Sequence, residues 1–105
     1  MQTIKSRKEF GAVFAKGRRA TDRLVRVTVL QNTSSDGKVA FVAAKRLGNA
    51  VYRNRCKRVL REAAREAGLP REDCGIILFA TRATHDAHPR EVAHSIRRLV
   101  DKVAA

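Results

Sequence analysis

The sequence predicts an α+β fold in which three helices pack on one small sheet. Apolar residues recur at helical spacing in three segments, and in three others they alternate or run continuously as in strands. These segments are intermixed along 105 residues with no repeat or linker, so a single domain over residues 1–105 is expected. Counting a further short strand near residues 18–24, the order is α-β-β-β-α-β-α, an α-β sandwich.

The first helix is predicted over residues 7–16. Ser6 and Glu9 have the spacing of a capping box, which marks a helix start. Gly17 favours an end to the helix. One apolar stripe at positions i, i+3 and i+4 is formed by Phe10, Val13 and Phe14.

Two strands are predicted on either side of a polar turn. Residues 23–31 place valines on one face and a mixed, basic set on the other, and residues 38–44 form a second β-branched run. The turn at residues 32–37 ends in Asp36 and Gly37, a strong hairpin signal. The two strands are therefore expected to pair antiparallel.

The second half of the chain predicts a helix, a strand and a last helix. Residues 50–67 have one apolar helical face, and the continuous apolar run at residues 75–81 suits a strand buried on both faces. Pro89 at the first helical position and Glu91 in the first turn favour a helix start. The core stripe of that helix consists of Val92, Ile96, Leu99, Val100 and Val103.

The charge balance points to a polyanionic partner. Lys and Arg number 23 against 10 Asp and Glu, giving a net charge of +13, which costs stability through self-repulsion unless anions offset it. Nucleic acid is the first candidate and an anionic membrane surface the second. No apolar run approaches the roughly 20 residues of a membrane span, and every apolar stripe is needed for the core. The N-terminus lacks a secretory signal, so a cytoplasmic location without membrane contact is expected.

The helix after residue 44 is strongly basic on one side. Residues 45–65 carry eight basic residues and one acid, Glu62. Like charges at i, i+4 weaken an isolated helix, and facing phosphates would relieve that repulsion. An arginine-rich face that is merely solvated is the alternative, although arginine favours bidentate phosphate contacts. The pattern does not itself choose RNA over DNA, but nothing resembles a helix-turn-helix pair.

The same segment carries a longer motif. Residues 48–62 contain Gly-Asn-Ala-Val-x-Arg-Asn-Arg-x-Lys-Arg followed by x-x-Arg-Glu, which closely resembles the signature of the bacterial ribonuclease P protein family. The first helix and the apolar strand that ends at Arg82 also resemble that family, so nearly the whole chain is covered. The resemblance implies an α-β sandwich like the second domain of ribosomal protein S5, with a left-handed crossover. Sequence alone would favour a right-handed crossover.

The resemblance also implies a function. Members are subunits of a ribonucleoprotein endonuclease that removes the 5′ leader of precursor tRNA, so the expected partners are a catalytic RNA and precursor tRNA, with one protein monomer per RNA and no role for DNA. The phosphodiester is hydrolysed at a Mg²⁺ site built by the RNA, so neither a catalytic residue nor a metal ligand is expected in the protein. The expected leader contacts are Phe10, Phe14, Lys16 and Arg82. The expected catalytic-RNA contacts are Lys45, Arg46, Asn49, Arg53, Asn54, Arg55, Lys57, Arg58, Arg61 and Arg65.

Less specific interpretations remain beside this one. A non-catalytic ribosomal protein or RNA chaperone fits the charge and the element order, although composition alone does not require the motif. Without the resemblance, Phe10 and Phe14 would be interpreted as core residues. With it, one ring is expected to lie mostly in the core and the other to be partly exposed.

The histidines and cysteines are not expected to form a site. His85, His88 and His94 are interpreted as surface residues, because no Cys or carboxylate completes a ligand set. Cys56 falls on the apolar side of the predicted helix and is interpreted as a small core residue. A disulfide between Cys56 and Cys74 stays open at this point.

Overall fold

The structure is a computed structural model that describes residues 2–33 and 37–104. Within these residues the order of helices and strands is α-β-β-β-α-β-α, as predicted. The helices are α1 (Arg7–Lys16), α2 (Ala50–Glu66) and α3 (Pro89–Ala104). The strands are β1 (Arg18–Thr21), β2 (Val25–Leu30), β3 (Lys38–Val42) and β4 (Gly75–Ala80). Two single 3₁₀ turns occupy Lys45–Leu47 and Thr84–Asp86.

The sheet has the strand order β1-β2-β4-β3, and this overturns the predicted hairpin. β4 lies between β2 and β3, antiparallel to β2 and parallel to β3. The middle of β4 is fully buried, and a strand that is apolar on both faces is most stable in the centre of a covered sheet.

The glycine in the predicted turn has another structural role. A Cβ at Gly37 would overlap the carbonyl group of Arg71, so glycine permits a close approach to that loop. Asp36, the other half of the hairpin signal, lies outside the described residues.

The main core lies between one face of the sheet and helices α2 and α3. Val25, Val27 and Val29 of β2 are buried in it, as the alternation predicted. All five residues of the predicted α3 stripe are also buried there. The crossover from β3 to β4 runs through α2. That this crossover is left-handed stays a prediction from the resemblance.

The opposite face of the sheet is covered by α1, with Ile4 of the N-terminal segment beside it. Ser6 caps the helix, its Oγ accepting hydrogen bonds from the backbone N–H groups of Lys8 and Glu9. Val13 is buried against β4, where a Cβ at Gly75 would stand 2.6 Å from a Val13 methyl carbon. A glycine at this position therefore lets α1 lie close to the sheet. This close packing sets the position of Phe14, the residue after Val13.

Both cysteines are buried and free, so no disulfide joins them. Cys56 lies on the buried side of α2, as predicted, and burial raises the pKa of its thiol. Burial likewise raises the pKa of the Cys74 thiol. Since the thiolate is the reactive form, both residues act as small core side chains. In residues 2–33 and 37–104, no helix has the length and apolarity to cross a bilayer.

Asp22 ties the loop before β2 to α3. Its Oδ1 accepts hydrogen bonds from the backbone N–H groups of Leu24 and Val25 at 2.9 and 3.1 Å, and its Oδ2 lies 2.6 Å from an Arg98 guanidinium nitrogen. Burial alone would raise the pKa of Asp22. The Ser95 hydroxyl, the two N–H groups and the Arg98 charge outweigh it, so the pKa is lowered.

We expect Asp22→Asn to reduce the free energy of unfolding at pH 7 by about 1–3 kcal/mol, because charge-assisted hydrogen bonds become neutral. A lowered folded pKa means that the carboxylate stabilises the protein above its ordinary value of 3.8 and that this contribution is lost as the pH falls through the folded value. Urea denaturation at several pH values should show that the difference in unfolding free energy between the wild type and Asp22→Asn shrinks below about pH 4. A difference in unfolding free energy that stays constant with pH would contradict this explanation.

Candidate RNA-binding surface

An open groove of about 360 Å³ lies on the α1 side of the sheet. The Phe14 ring, on a residue 44% exposed, forms one wall, and its centroid is 6.1 Å from that of Phe79 on β4. Thr28 and Val42 belong to the sheet side of the groove. The remaining lining residues are Arg19, Ala20, Thr21, Arg26, Val27, Ala44 and Arg46.

Arginines accompany the two aromatic rings of this groove. The Arg19 guanidinium lies 4.6 Å from the Phe14 ring centroid, and its Nη2 donates a hydrogen bond to the Phe14 carbonyl at 2.8 Å. The Arg26 guanidinium lies 5.9 Å from the Phe79 ring centroid. Rings beside fixed cations can stack bases and bind the phosphates between them.

Arg19, Arg26 and Phe79 were not predicted as site residues from the sequence. Arg26 and Phe79 are register partners in the β2–β4 ladder, a pairing that the sequence did not predict. Arg26 does lie on the strand face opposite the valines, which was the available signal.

Of the four predicted leader contacts, Phe14 lines this groove and the other three do not. Phe10 packs partly buried against the α1 cluster, and its ring stacks with that of Phe14 at a centroid distance of 6.3 Å. One ring is thus mostly in the core and the other partly exposed, as expected. Lys16 is exposed on the last turn of α1. Arg82 is exposed after β4, where its carbonyl accepts a hydrogen bond from the Tyr52 hydroxyl at 3.3 Å.

The Gly-Asn start of the basic motif forms the N-terminus of α2. Asn49 caps the helix, its Oδ1 accepting a hydrogen bond from the Tyr52 N–H at 2.9 Å. A Cβ at Gly48 would lie 2.9 Å from Cγ of Tyr52, whose ring stacks on His85 at 4.0 Å. Glycine and asparagine at these positions therefore fix the geometry of the basic helix, whatever else they contact.

The basic residues of α2 point in several directions. Arg55 donates from Nε to the His85 carbonyl at 3.0 Å, and among the described residues its terminal nitrogens make no hydrogen bond. Lys57 and Arg61 face the outer edge of β3. Arg53 is half-buried, and its Nε has no hydrogen-bond partner within residues 2–33 and 37–104. The exposed members of the predicted set include Lys45, Arg46, Asn54, Arg58 and Arg65.

These cations are not neutralised by neighbouring carboxylates. Across the described part of the chain, the close contacts between basic and acidic side chains are Lys38–Glu9, Arg71–Asp101, His85–Asp86 and Arg98–Asp22, and none uses a basic residue of α2. Since Arg46 also lines the groove, the cationic surface formed by this basic segment extends to the groove. Such a surface attracts a polyanion and releases its counterions.

His85 and His88 have local partners. His85 Nδ1 lies 2.7 Å from an Asp86 oxygen, and His88 Nδ1 accepts a hydrogen bond from the Arg90 N–H at 3.0 Å. Outside the undescribed positions, no group of three or more His, Cys, Asp or Glu side chains is placed to hold a metal ion. That the protein itself needs no metal stays a prediction.

Comparison with known proteins gives one family. The family model described as Ribonuclease P matches residues 1–104. The ribonuclease P protein component of Shouchella clausii is 37% identical over 103 residues, which cover 96% of this chain and 84% of that protein. The corresponding protein of Symbiobacterium thermophilum is 38% identical over 102 residues, 94% of this chain and 88% of that protein.

Solved structures agree. The Staphylococcus aureus RNase P protein superposes with a TM-score of 0.78 at 25% identity, over 97% of this chain and 94% of that one. The Thermotoga maritima RNase P protein has the same fold, with a TM-score of 0.75 at 18% identity over 94% of this chain and 98% of that one. The family match over almost the full length, on a fold that carries this cationic surface, places the chain in the bacterial ribonuclease P protein family, the protein components of a tRNA-processing ribonucleoprotein endonuclease.

Proposed function

We propose that this chain binds the catalytic RNA through the basic face of α2 and holds the 5′ leader of precursor tRNA in the groove beside α1. It thereby assists endonucleolytic removal of the leader to give the mature 5′ end. The observation that carries the proposal is the Phe14 ring, 44% exposed at the groove and flanked by Arg19 and by the Arg26–Phe79 pair. An exposed aromatic ring beside cations suits a single strand whose bases are free to stack.

The chemistry is proposed to belong to the RNA. Mg²⁺ held by the catalytic RNA supplies stabilisation of the charge that develops on the phosphate. Residues of this chain bind and orient the leader and neutralise phosphates, which lowers the amount of free Mg²⁺ that the assembly needs. A 1:1 complex of one protein monomer with the RNA in the cytoplasm, without DNA or membrane contact, completes the proposal.

Arg46 connects the two parts of this assignment. It belongs to the basic segment before α2 and also lines the groove. A leader in the groove would therefore lie directly beside the catalytic RNA on α2. Holding both RNAs in one orientation lowers the entropy cost of bringing the cleavage site to the RNA active site.

The salt dependence of binding tests the leader contacts. The complex with catalytic RNA is titrated with precursor tRNA that carries a leader and with mature tRNA, over a range of salt concentrations. Each phosphate of a single strand contributes a slope of about −0.7 in log affinity against log salt, so four leader contacts add about −3. Equal slopes for the two tRNAs would contradict leader binding.

A further inference from the structure

A second cavity lies at the free edge of β3, outside the groove. Its volume is about 310 Å³, and it is bounded by the N-terminal segment, α1, β3 and α2. Phe10, Phe41 and Val42 supply apolar surface, and Lys57 and Arg61 supply charge. Val42 is the one residue that lines both this edge cavity and the groove.

In the edge cavity an arginine lies over an aromatic ring, and this Arg61–Phe41 pair is called the cationic platform. The Arg61 guanidinium lies over the Phe41 ring, 5.2 Å from its centroid. Phe41 is half-buried against the main core, so its ring cannot move away freely. A guanidinium over a ring can take a base on its outer face, since arginine stacks through its plane as well as pairing through its charge.

The edge of β3 adds backbone hydrogen-bonding groups. The N–H and C=O of Val39 point away from β4 and bond to Gln2 and Ile4 of the N-terminal segment. Strand alternation turns the N–H and C=O of Phe41 to the same side. Because Ser6 already caps α1, the segment turns away, and within the described residues no backbone hydrogen bond joins it to Phe41. A neighbouring donor and acceptor at a strand edge can pair with an extended ligand.

We propose that the edge cavity binds one unpaired nucleotide of the catalytic RNA, with its base on Arg61 and its phosphate at Lys57. The inference rests on the proposed function and adds to it that the basic face recognises an unstacked base as well as helix phosphates. A paired RNA helix presents mainly backbone and 2′-hydroxyl groups there, and it would leave the ring and the edge groups unused. The catalytic RNA is the source because both cations belong to α2.

Affinity for the catalytic RNA at several salt concentrations tests the platform. Phe41→Leu keeps an apolar side chain of similar volume but removes the ring, and we expect affinity to fall at least about fivefold with the salt slope unchanged, since no phosphate contact is lost. Arg61→Lys should behave in the same way, because it keeps the charge and loses the plane. Phe41→Tyr keeps the ring and should restore affinity.

Arg58→Gln is the matched control. Arg58 is exposed on α2 and lines neither cavity. Its loss should make the salt slope less steep by up to about one phosphate, which is the signature of a charge contact. The stacking role of the platform is contradicted if Phe41→Leu changes the affinity for catalytic RNA by less than twofold. It is also contradicted if Phe41→Leu makes the salt slope less steep, as Arg58→Gln is expected to do. Thermal melts of each variant identify any loss that comes from unfolding.

Chemical probing of unpaired nucleotides in the complex identifies the occupant. One nucleotide of the catalytic RNA should be protected by the wild-type chain, become reactive with Phe41→Leu and be protected again with Phe41→Tyr. Identical protection with all three proteins overturns the proposal. A loss of affinity in Phe41→Leu that is confined to precursor tRNA with a leader, with catalytic RNA bound as before, overturns it too. If the wild-type chain binds no catalytic RNA, the proposed function fails as well. If the wild type binds and supports cleavage and Phe41→Leu binds the catalytic RNA with the same affinity, the edge cavity alone is refuted.

Discussion

Replacing Phe14 by alanine is expected to weaken binding of precursor tRNA by roughly 1–3 kcal/mol while mature tRNA is bound as before. The ring is 44% exposed at the groove, so the variant removes a stacking surface and little core packing. Equilibrium binding of both tRNAs to the complex with catalytic RNA measures the difference. Equal losses for the two would contradict leader binding at this groove.

Two further variants sharpen that measurement. Phe14→Tyr keeps the ring and should retain the preference for the precursor. Val51→Ala is the control for the loss of exposed apolar surface, because Val51 is 75% exposed on the first turn of α2 and does not line the groove. A preference lost equally in Phe14→Ala and Val51→Ala would show that the groove has no special role.

Leu60→Ala is expected to have the largest effect on stability. Leu60 is fully buried in the main core, on the side of α2 opposite the basic face. Deleting a buried leucine side chain down to Cβ costs about 2–5 kcal/mol, a large part of the 5–15 kcal/mol that is usual for a domain. Urea denaturation measures the loss.

Binding offers a check on that prediction. RNA that binds only the folded chain adds about 2.7 kcal/mol of stability at 100 times its dissociation constant. Catalytic RNA should therefore restore much of the unfolding midpoint that Leu60→Ala loses. A loss below 1 kcal/mol without RNA would mean that α2 does not pack on the sheet through this residue.

Local signals in the sequence were enough for the helices and strands. Ser6, the apolar stripes and Pro89 act within one or two turns of chain, and the structure places α1 and α3 where they predicted. The prediction that β2 pairs with β3 was wrong, because a turn signal depends on only a few neighbouring residues. The central position goes to the strand that can be buried on both of its faces, and whether β4 is buried in this way depends on the whole fold.

The candidate site divides in the same way. The basic motif and Phe14 could be found from residue types and from the resemblance. The partners of Phe14 could not, because Arg19 and Phe79 come from β1 and β4 and reach the groove only through the sheet order. The direction of Arg55 toward the Thr84–Asp86 turn is likewise set by tertiary contact, since the helical wheel gives its side of α2 and not its partner.

Cleavage of a 5′-extended precursor tRNA at low Mg²⁺, by a bacterial ribonuclease P RNA with and without this protein, tests the central claim most directly. The protein should supply phosphate neutralisation that the RNA otherwise takes from Mg²⁺, so cleavage at the mature 5′ end should require both components. A chain that binds RNA but never assists that cleavage would contradict the claim. Cleavage by the chain alone would contradict the assignment of the chemistry to the RNA.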